Sequence, residues 1–593
     1  MYAAAIKQLP LRLFVITTIW FSLTPAVASY DEDNVRNASL KAIEANPEVE
    51  AKWHAFLATG YDHREAWGGY LPSVDVTAAG GRANRDFDGR GSYDRAQAEV
   101  SVTQMLFDGF GVRNDVRGAK HRQIRSYYEL IATAERVALE TFTVYQDIVT
   151  RRELVVLSQE NYSNHYRVFQ QIERRGRSGL STSADLEQIQ GRLALAESNL
   201  LTEAANLHDV TAQFLRLVGR PPGDTLAPAA LETALIPENI RDALRHAYNG
   251  NPGFHAAITG IDVARSAADR RKANFLPQIG LRARHGINDN VNSFDRRFDP
   301  ENRGEESAIE LTFQYNLYRG GSDRAARRGA LERVNEAFDV RDLECRNLRQ
   351  SVQISHNDVR NLGERINSLR QHRDSSRLVA TAYQEQFEIG RRALLDVLDA
   401  ENESYQAQRA YLLATRDLET AKARTLSGMG ELLETLEITR TALPSLSDIN
   451  GQEIHIDPET TCGLQAASGL SRDDLVHQHF SLEADALFNT GQSSLTLYAT
   501  ESLDRLLSQL GDPEDIQRIT IVGHTDDRGG HALNDRLSLA RAESARAYFA
   551  ANGIDAARIT VEGRGSRFPI SDNDSPEGRE ANRRIEISVL RIR

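Results

Sequence analysis

The chain has 593 residues, enough for more than one domain, and a formal net charge of −13, which argues against nucleic acid as a partner. Charged residues make up 26% of it, and past the N-terminus no apolar run reaches the roughly 20 residues that a membrane-spanning helix takes. Membrane insertion would therefore have to be as a closed β-barrel.

Lys7 and Arg12 lead into an apolar run from Leu13 to Leu23 that ends in Ala26-Val27-Ala28. Basic, apolar and small residues in that order make a secretory signal peptide over residues 1–28, cut after Ala28. No cysteine stands directly after the cut, so no N-terminal lipid anchor is expected.

Residues 29–440 read as one body built from two copies, about 30–220 and 236–435. Asn46-Pro47 and Leu71-Pro72 recur 205 positions later as Asn251-Pro252 and Leu276-Pro277. Beyond one insertion the offset becomes 211, pairing Gly109 with Gly320, Gly179 with Gly390, Asp185 with Asp396 and Gly219 with Gly430.

In each copy Leu-Pro precedes strand-like alternation. Val74, Val76 and Ala78, then Ala98, Val100 and Val102, share one face in the first copy. Ile279, Leu281 and Ala283, then Ile309, Leu311, Phe313 and Tyr315, do so in the second, opposite Arg282, Arg284 and Glu310. An apolar face backed by a charged one suits a lipid-facing strand around a wet lumen. Four strands cannot close a barrel, which takes about eight, so several chains must share one.

Each strand pair feeds a long segment without proline, from about Val112 to Arg175 and from about Asp323 to Ile389. At 1.5 Å per residue these are helices of roughly 95 Å. The returning helix of the first copy carries a 3-4 repeat at Leu186, Ile189, Leu193, Ala196, Leu200, Leu207, Val210, Phe214 and Leu217, broken by Glu203. The matching seam of the second copy (Val397, Ala400, Ser404, Ala407, Tyr411) is smaller and more polar.

Leu-Pro before the strands, Leu106-Phe107-Asp108-Gly109 after them, and the turn from Phe387-Glu388-Ile389-Gly390-Arg391-Arg392 to Asp396-Val397-Leu398-Asp399-Ala400 resemble TolC-family outer-membrane channels. The resemblance implies a homotrimer with a twelve-stranded barrel in outer-membrane lipid and a long helical tunnel in the periplasm. It implies a periplasmic adaptor protein and an inner-membrane ABC transporter or pump as partners. Asp396 and Asp399 would ring a closed entrance, where converging like charges are costly unless hydrated or paired.

In the family, an Arg matching Arg392 and an Asp matching Asp185 link neighbouring turns. Phe387 here replaces a tyrosine and Ala184 a threonine, removing two hydrogen-bond partners worth about 1 kcal/mol each. A looser or differently wired gate is expected, with a direct Arg392–Asp185 pair as one form of it. Arg177, Gly179, Leu180, Ser181 and Gly390 would form the adaptor-docking tips.

Residues 441–474 have linker composition, rich in Pro, Ser, Gly and Asp. Residues 475–593 then carry Gly523-His524-Thr525-Asp526-Asp527-Arg528-Gly529, Leu533-Asn534-Asp535-Arg536-Leu537-Ser538-Leu539-Ala540-Arg541, Gly563-Arg564-Gly565 and Asn582-Arg583-Arg584. This series resembles the OmpA-like peptidoglycan-binding domain, a compact α/β module. The stem peptide of peptidoglycan offers carboxylates and an amine. The resemblance assigns Arg541 to a carboxylate and Asp526 to the ammonium, with Asn534, Leu537, Arg583 and Asn489 lining the pocket.

Cys345 and Cys462 suit an oxidising compartment; a bridge from helix to linker is one reading, two separate thiols the other. No metal-spaced His/Cys cluster, phosphate loop or nucleophile–base set occurs, so no enzyme, metal or cofactor is expected. The Asp396–Asn402 stretch resembles type I protein-secretion ducts more than drug-efflux ones. The alternatives are a small-molecule efflux duct of the same architecture and a non-conducting tether between membrane and wall.

Overall fold

The computed structural model describes residues 34–85, 91–178, 182–289, 303–438, 443–466, 478–483, 487–488, 491–510, 513 and 516–591. The signal peptide, Gly179, Leu180, Ser181 and Asn489 lie outside the described residues.

The body opens with α1 (Val35–Ala45) and α2 (Pro47–Gly68), and its second copy opens with α5 (Ile240–Gly250) and α6 (Pro252–Lys272). The recurring Asn-Pro explains both starts. Asn46 accepts the Glu48 N–H at 2.9 Å and Asn251 accepts that of Phe254 at 2.9 Å. Proline at the first helical position gives up an N–H that had no helical partner.

Strands β1 (Ser73–Arg85) and β2 (Gly91–Phe107) form one hairpin; β3 (Gln278–Asp289) and β4 (Arg303–Gln314) form the other. All neighbours are antiparallel, in the order β1-β2-β3-β4, with β2 and β3 joining the copies. Among the described residues, the outer edges of β1 and β4 pair with no other strand. Val74, Val76, Ile309, Leu311 and Phe313 stand exposed on one face, Ile309 at 80%. On the other face Glu99 receives Arg282 at 2.8 Å, and Arg284 reaches Glu306 at 2.7 Å. The alternation thus separates an apolar surface from a charged one, as a barrel wall requires.

Helices α3 (Gly111–Arg177) and α7 (Ser322–Glu388) have 67 residues each, about 100 Å at 1.5 Å per residue. They return as α4 (Ser183–Val218) and α8 (Leu394–Met429), 36 residues each. Both returns stop at a glycine in the left-handed region, Gly219 at φ +78° and Gly430 at φ +77°. Gly430 has a second reason to be glycine, since a Cβ there would run into the Gly250 backbone.

The seam of α4 is buried at Ile189, Ala196, Val210, Phe214 and Leu217, and so is its interruption, Glu203, at 2% exposure. Glu203 is tied to Arg151 of α3 at 2.7 Å and Arg409 of α8 at 3.0 Å. The polar-looking seam of α8 is buried at Val397, Ala400, Ser404 and Ala407. Its small side chains let α8 lie close to α3 as well as to α7.

Midway along the bundle the largest core of the body gathers Phe142, Tyr145, Phe214, Tyr248 and Phe254. The carboxyl of Glu135 is sealed in this girdle, accepting the Leu433 N–H at 3.2 Å. Burial pushes it up to about 8. Within the linker read over residues 441–474, residues 443–466 lie on this girdle, with Ile449 buried in its core.

The C-terminal module has strands β5 (Gln478–Glu483), β6 (Ile516–His524), β7 (Ile559–Gly565) and β8 (Arg584–Arg591) in the order β5-β8-β6-β7. Only the β6–β7 pair is parallel. Helices α9 (Leu497–Leu510) and α10 (His531–Ala551) cover one face, and α11 (Pro576–Asn582) precedes β8. Ile519, Ile521, Ile585, Ile587, Phe549 and Leu503 fill its core. Gly523 and Gly563 let α10 rest on the sheet, because a Cβ at either would strike the α10 backbone at Ser538 or Leu539.

Candidate functional site

Two sites follow from this frame, one at the far end of the helices and one in the C-terminal module. At the helix tips Val168 and Ile172 (α3), Ile189 (α4), Phe387 (α7) and Leu394, Val397 and Leu398 (α8) form one small core. The two turns around it are closed differently.

In the first copy Thr182 caps α4. Its Oγ1 accepts the Asp185 N–H at 3.2 Å, and Asp185 Oδ2 accepts the Thr182 N–H at 3.0 Å and its hydroxyl at 2.8 Å. This reciprocal box follows from Thr and Asp three residues apart. The Thr182 backbone N–H, then its hydroxyl, hold the Asp185 carboxyl below its ordinary range. Arg177 is tied back to Glu173 at 2.7 Å.

In the second copy Gly390, at φ +76°, closes α7 while the Arg391 N–H returns to the Gln386 carbonyl at 2.8 Å. Ala393 precedes α8 and offers no side-chain cap. Arg392 lies over the Tyr383 ring at 4.1 Å, donates to Gln386 Oε1 at 3.0 Å, and stands 3.7 Å from Asp396.

Within the chain, Arg392 and Asp185 are each engaged by their own turn. Asp396 and Asp399 also differ from each other. Asp399 accepts Arg192 of α4 at 2.7 Å, a contact that ties the two hairpins together. Arg192 escaped sequence reasoning because 207 residues separate it from Asp399 and no local pattern marks it.

In the C-terminal module Asp526 sits just after β6 and is 8% exposed. One carboxylate oxygen accepts the Arg528 N–H at 3.1 Å and the other accepts Arg583 at 2.7 Å. Asn534 of α10 donates to the Asp526 carbonyl at 3.2 Å. Asn534, Leu537 and Arg541 share one face of α10 at helical spacing. Arg541 is 2% exposed, lies over the Phe488 ring at 5.3 Å, and donates from Nε to the Gln492 carbonyl at 3.1 Å.

Asn582, also buried, braces the opposite wall by accepting the Ile570 and Ser571 N–H groups at 2.7 and 3.0 Å. The first turn of α10 has no side-chain cap, so its N–H groups add positive potential near Asp526. Motif reading left Phe488, Gln492 and Asn582 without a role, and these are the contacts they make. His524 is buried at the end of β6, 3.5 Å from Glu586. Burial, reinforced by Arg584, pushes its imidazole down; a neutral, enclosed ring there is a support for the turn.

Among the described residues no group of His, Cys, Asp and Glu is placed to hold a metal, and no helix is long and apolar enough to cross a membrane. Residues 39–220 and 243–431 match the family model described as outer membrane efflux protein. The chain belongs to that family. Residues 487–583 match the OmpA family model, a range that includes Asp526, Asn534, Arg541 and Asn582.

Among relatives, the chain is 24% identical over 333 residues to the outer membrane efflux protein BepC of Brucella suis, covering 56% of this chain and 72% of the relative. It is 25% identical over 405 residues to the alkaline protease secretion protein AprF of Pseudomonas aeruginosa, covering 66% and 81%. The fold is similar to that of the Campylobacter jejuni CmeC outer membrane channel, with a TM-score of 0.61 at 15% identity, over 68% of this chain and 86% of that one. This family membership makes the chain an outer-membrane channel protein and not an enzyme, with its tunnel helices and C-terminal module on the periplasmic side.

Proposed function

We propose that the protein is the outer-membrane duct of a tripartite export system, works as a homotrimer in type I protein secretion, and is held to peptidoglycan by its C-terminal module. The unpartnered edges of β1 and β4 carry the oligomer, since an open sheet edge is not tolerated in lipid. Leu331, Leu343, Ile354 and Leu378, exposed along α7, supply apolar surface for a neighbouring protomer.

At the tips, Asp396 and Asp399 line the entrance, with Arg392 and Asp185 setting the turns and Arg192 neutralising part of the mouth. Arg177 and Gly390, together with Gly179, Leu180 and Ser181, form the surface for a periplasmic adaptor, behind which stands an ABC transporter or pump. In the wall module Asp526 takes the ammonium of the stem peptide and Arg541 a carboxylate, with Asn534, Leu537, Arg583 and Asn489 around them.

The similarity to AprF, over most of that relative's length, is the observation that favours secretion; the similarity to BepC favours small-molecule efflux as the second reading. A deletion strain separates them. Secretion predicts a culture supernatant that loses a large protein while drug tolerance stays unchanged, and the reverse pattern would establish efflux. A purified protein that conducts no ions in planar bilayers would overturn both and leave a tether. Asp526→Ala and Arg541→Ala should each reduce co-sedimentation with purified sacculi by tenfold or more, as expected for losing a charge-assisted contact; unchanged sedimentation would remove the wall-binding role.

A further inference from the structure

Residues 443–466 contact the girdle along their length. Leu443, Leu446, Ile456 and Leu464 pack on the core that buries Ile449. Ser445 and Asp448 close a reciprocal cap around a single 3-10 turn, Leu446–Ile449, and Lys120 of α3 donates to the Ile449 carbonyl. Asn249, at the end of α5, accepts the Ile456 N–H at 3.1 Å, and the buried Tyr248 donates to the Gly463 carbonyl at 3.4 Å. From α7, Arg349 donates to the Cys462 carbonyl at 3.4 Å and Gln353 to that of Gln465 at 2.7 Å. Cys345 of α7 and Cys462 are joined in a disulfide, with Cα atoms 5.6 Å apart and 117 positions between them in sequence.

We propose that residues 443–466 are a strap, latched to α7 by the Cys345–Cys462 disulfide, that fixes how far along the helices the C-terminal module can hold the wall. The inference rests on the reading that this module binds peptidoglycan. The argument is one of reach. Gln478, the first residue of β5, is 16 positions beyond Cys462, and a chain of that length spans at most about 55 Å. Without the strap, the tether would run from Ile438, 40 positions before Gln478, with a limit of about 140 Å. The first limit is about half the length of α3; the second exceeds it. Latched, the module is confined to one zone around the girdle. Unlatched, it could meet the wall anywhere from the barrel to the tips.

The strap's contacts and its covalent latch support each other. The hydrogen bonds from Arg349 and Gln353 fall on Cys462 itself and three residues beyond it, so the disulfide closes a segment that is already seated. Cutting the bond alone should loosen the C-terminal end of the strap first, while Ile449 holds the other end.

The test uses full-length protein with fluorophores on non-canonical residues at Arg346, exposed beside the latch, and Glu577 of α11. Wild type should give a narrow distance distribution. Cys345→Ser/Cys462→Ser combined with Ile449→Asp should at least double its width and add separations longer than any in wild type. Cleavage at Glu453 and Glu459 by a glutamate-specific protease should rise at least tenfold in the same variant. An unchanged distribution together with unchanged cleavage would overturn the strap. Ile449→Asp with the disulfide intact checks the fold, and should keep the wild-type upper limit of distance. Sedimentation with sacculi is read in parallel. Failure of wild type to bind sacculi would remove the wall reading while leaving the distance result to decide the strap.

Discussion

The two copies of the body share an order of elements, at an offset of 205 positions before one insertion and 211 after it, yet they bury different amounts of themselves. Helix α3 is enclosed by α2, α4, α6 and α8, whereas α7 leaves Leu343, Ile354 and Leu378 exposed. Positions 211 apart show how the divergence is written. Where the first copy has Glu203, buried between two arginines, the second has the buried Ala414. Where the first has Thr182, capping its return helix, the second has Ala393, which caps nothing. Where the first seals Glu135 inside the girdle, the second places the exposed Arg346. The lesson is that two copies of one geometry divide their contacts unequally, the first making more of them within the chain and the second leaving more of its long helix exposed.

The sharpest way to break the comparison is to make the first copy like the second at its seam. Glu203→Ala should cost about 3 kcal/mol, because Arg151 and Arg409 lose a shared buried counter-ion. Denaturant unfolding of the body checks this, and a loss below about 0.5 kcal/mol would show that the two arginines simply turn to solvent. Burial alone would raise the Glu203 carboxyl, but bonds from Asn206, Arg151 and Arg409 hold it below its ordinary value. Its stabilisation is therefore present above the unfolded carboxylate range and lost as pH falls through the lowered folded value.

Glu135 works in the opposite direction. Its folded value is raised to about 8 by burial, so its favourable protonated state is complete below the unfolded value, near 4.5, and its contribution is lost as pH rises through 8. Glu135→Gln keeps an acceptor for the Leu433 N–H and removes the titration. The variant should melt higher than wild type at pH 8 and show a flatter dependence of melting temperature between pH 5 and pH 8. Parallel pH profiles for the two proteins would place the titration elsewhere.

The smallest expected effects are at the turns. Thr182→Ala should destabilise the start of α4 by about 1 kcal/mol, and Ala393→Thr, which creates the same box with Asp396, should stabilise the start of α8 by a similar amount. Amide hydrogen exchange in the first turn of each helix reads both changes. Equal exchange before and after the swap would mean that the tips are ordered by Phe387, Leu394 and Val397 and not by their caps.

Much of the fold was legible because its signals are local. Asn46-Pro47 and Asn251-Pro252 announce helix starts through one side-chain bond each, and the alternation through Ile309, Leu311 and Phe313 fixes the faces of a strand. The long helices were legible through the absence of proline. The OmpA-like module was legible as a motif series, since Asp526, Asn534 and Arg541 lie on one turn and one helix. What escaped were pairs made by packing. Arg192 with Asp399, Glu203 with Arg409, and Ile449 with the girdle join residues roughly 200 or more positions apart, or a segment whose composition resembles any polar loop. A buried glutamate on a heptad seam looks like a flaw until its partners on two other helices are seen.

The open edges of β1 and β4 also make the protein's failures contagious. A protomer with a damaged edge strand does not fail alone, because in the proposed trimer it takes two sound neighbours out of use. If half the protomers in a cell carried such damage and assembled at random, about one barrel in eight would be intact. A single faulty copy of the gene would then behave as dominant, and damage to the edge strands would be felt well before damage of equal size in the wall module.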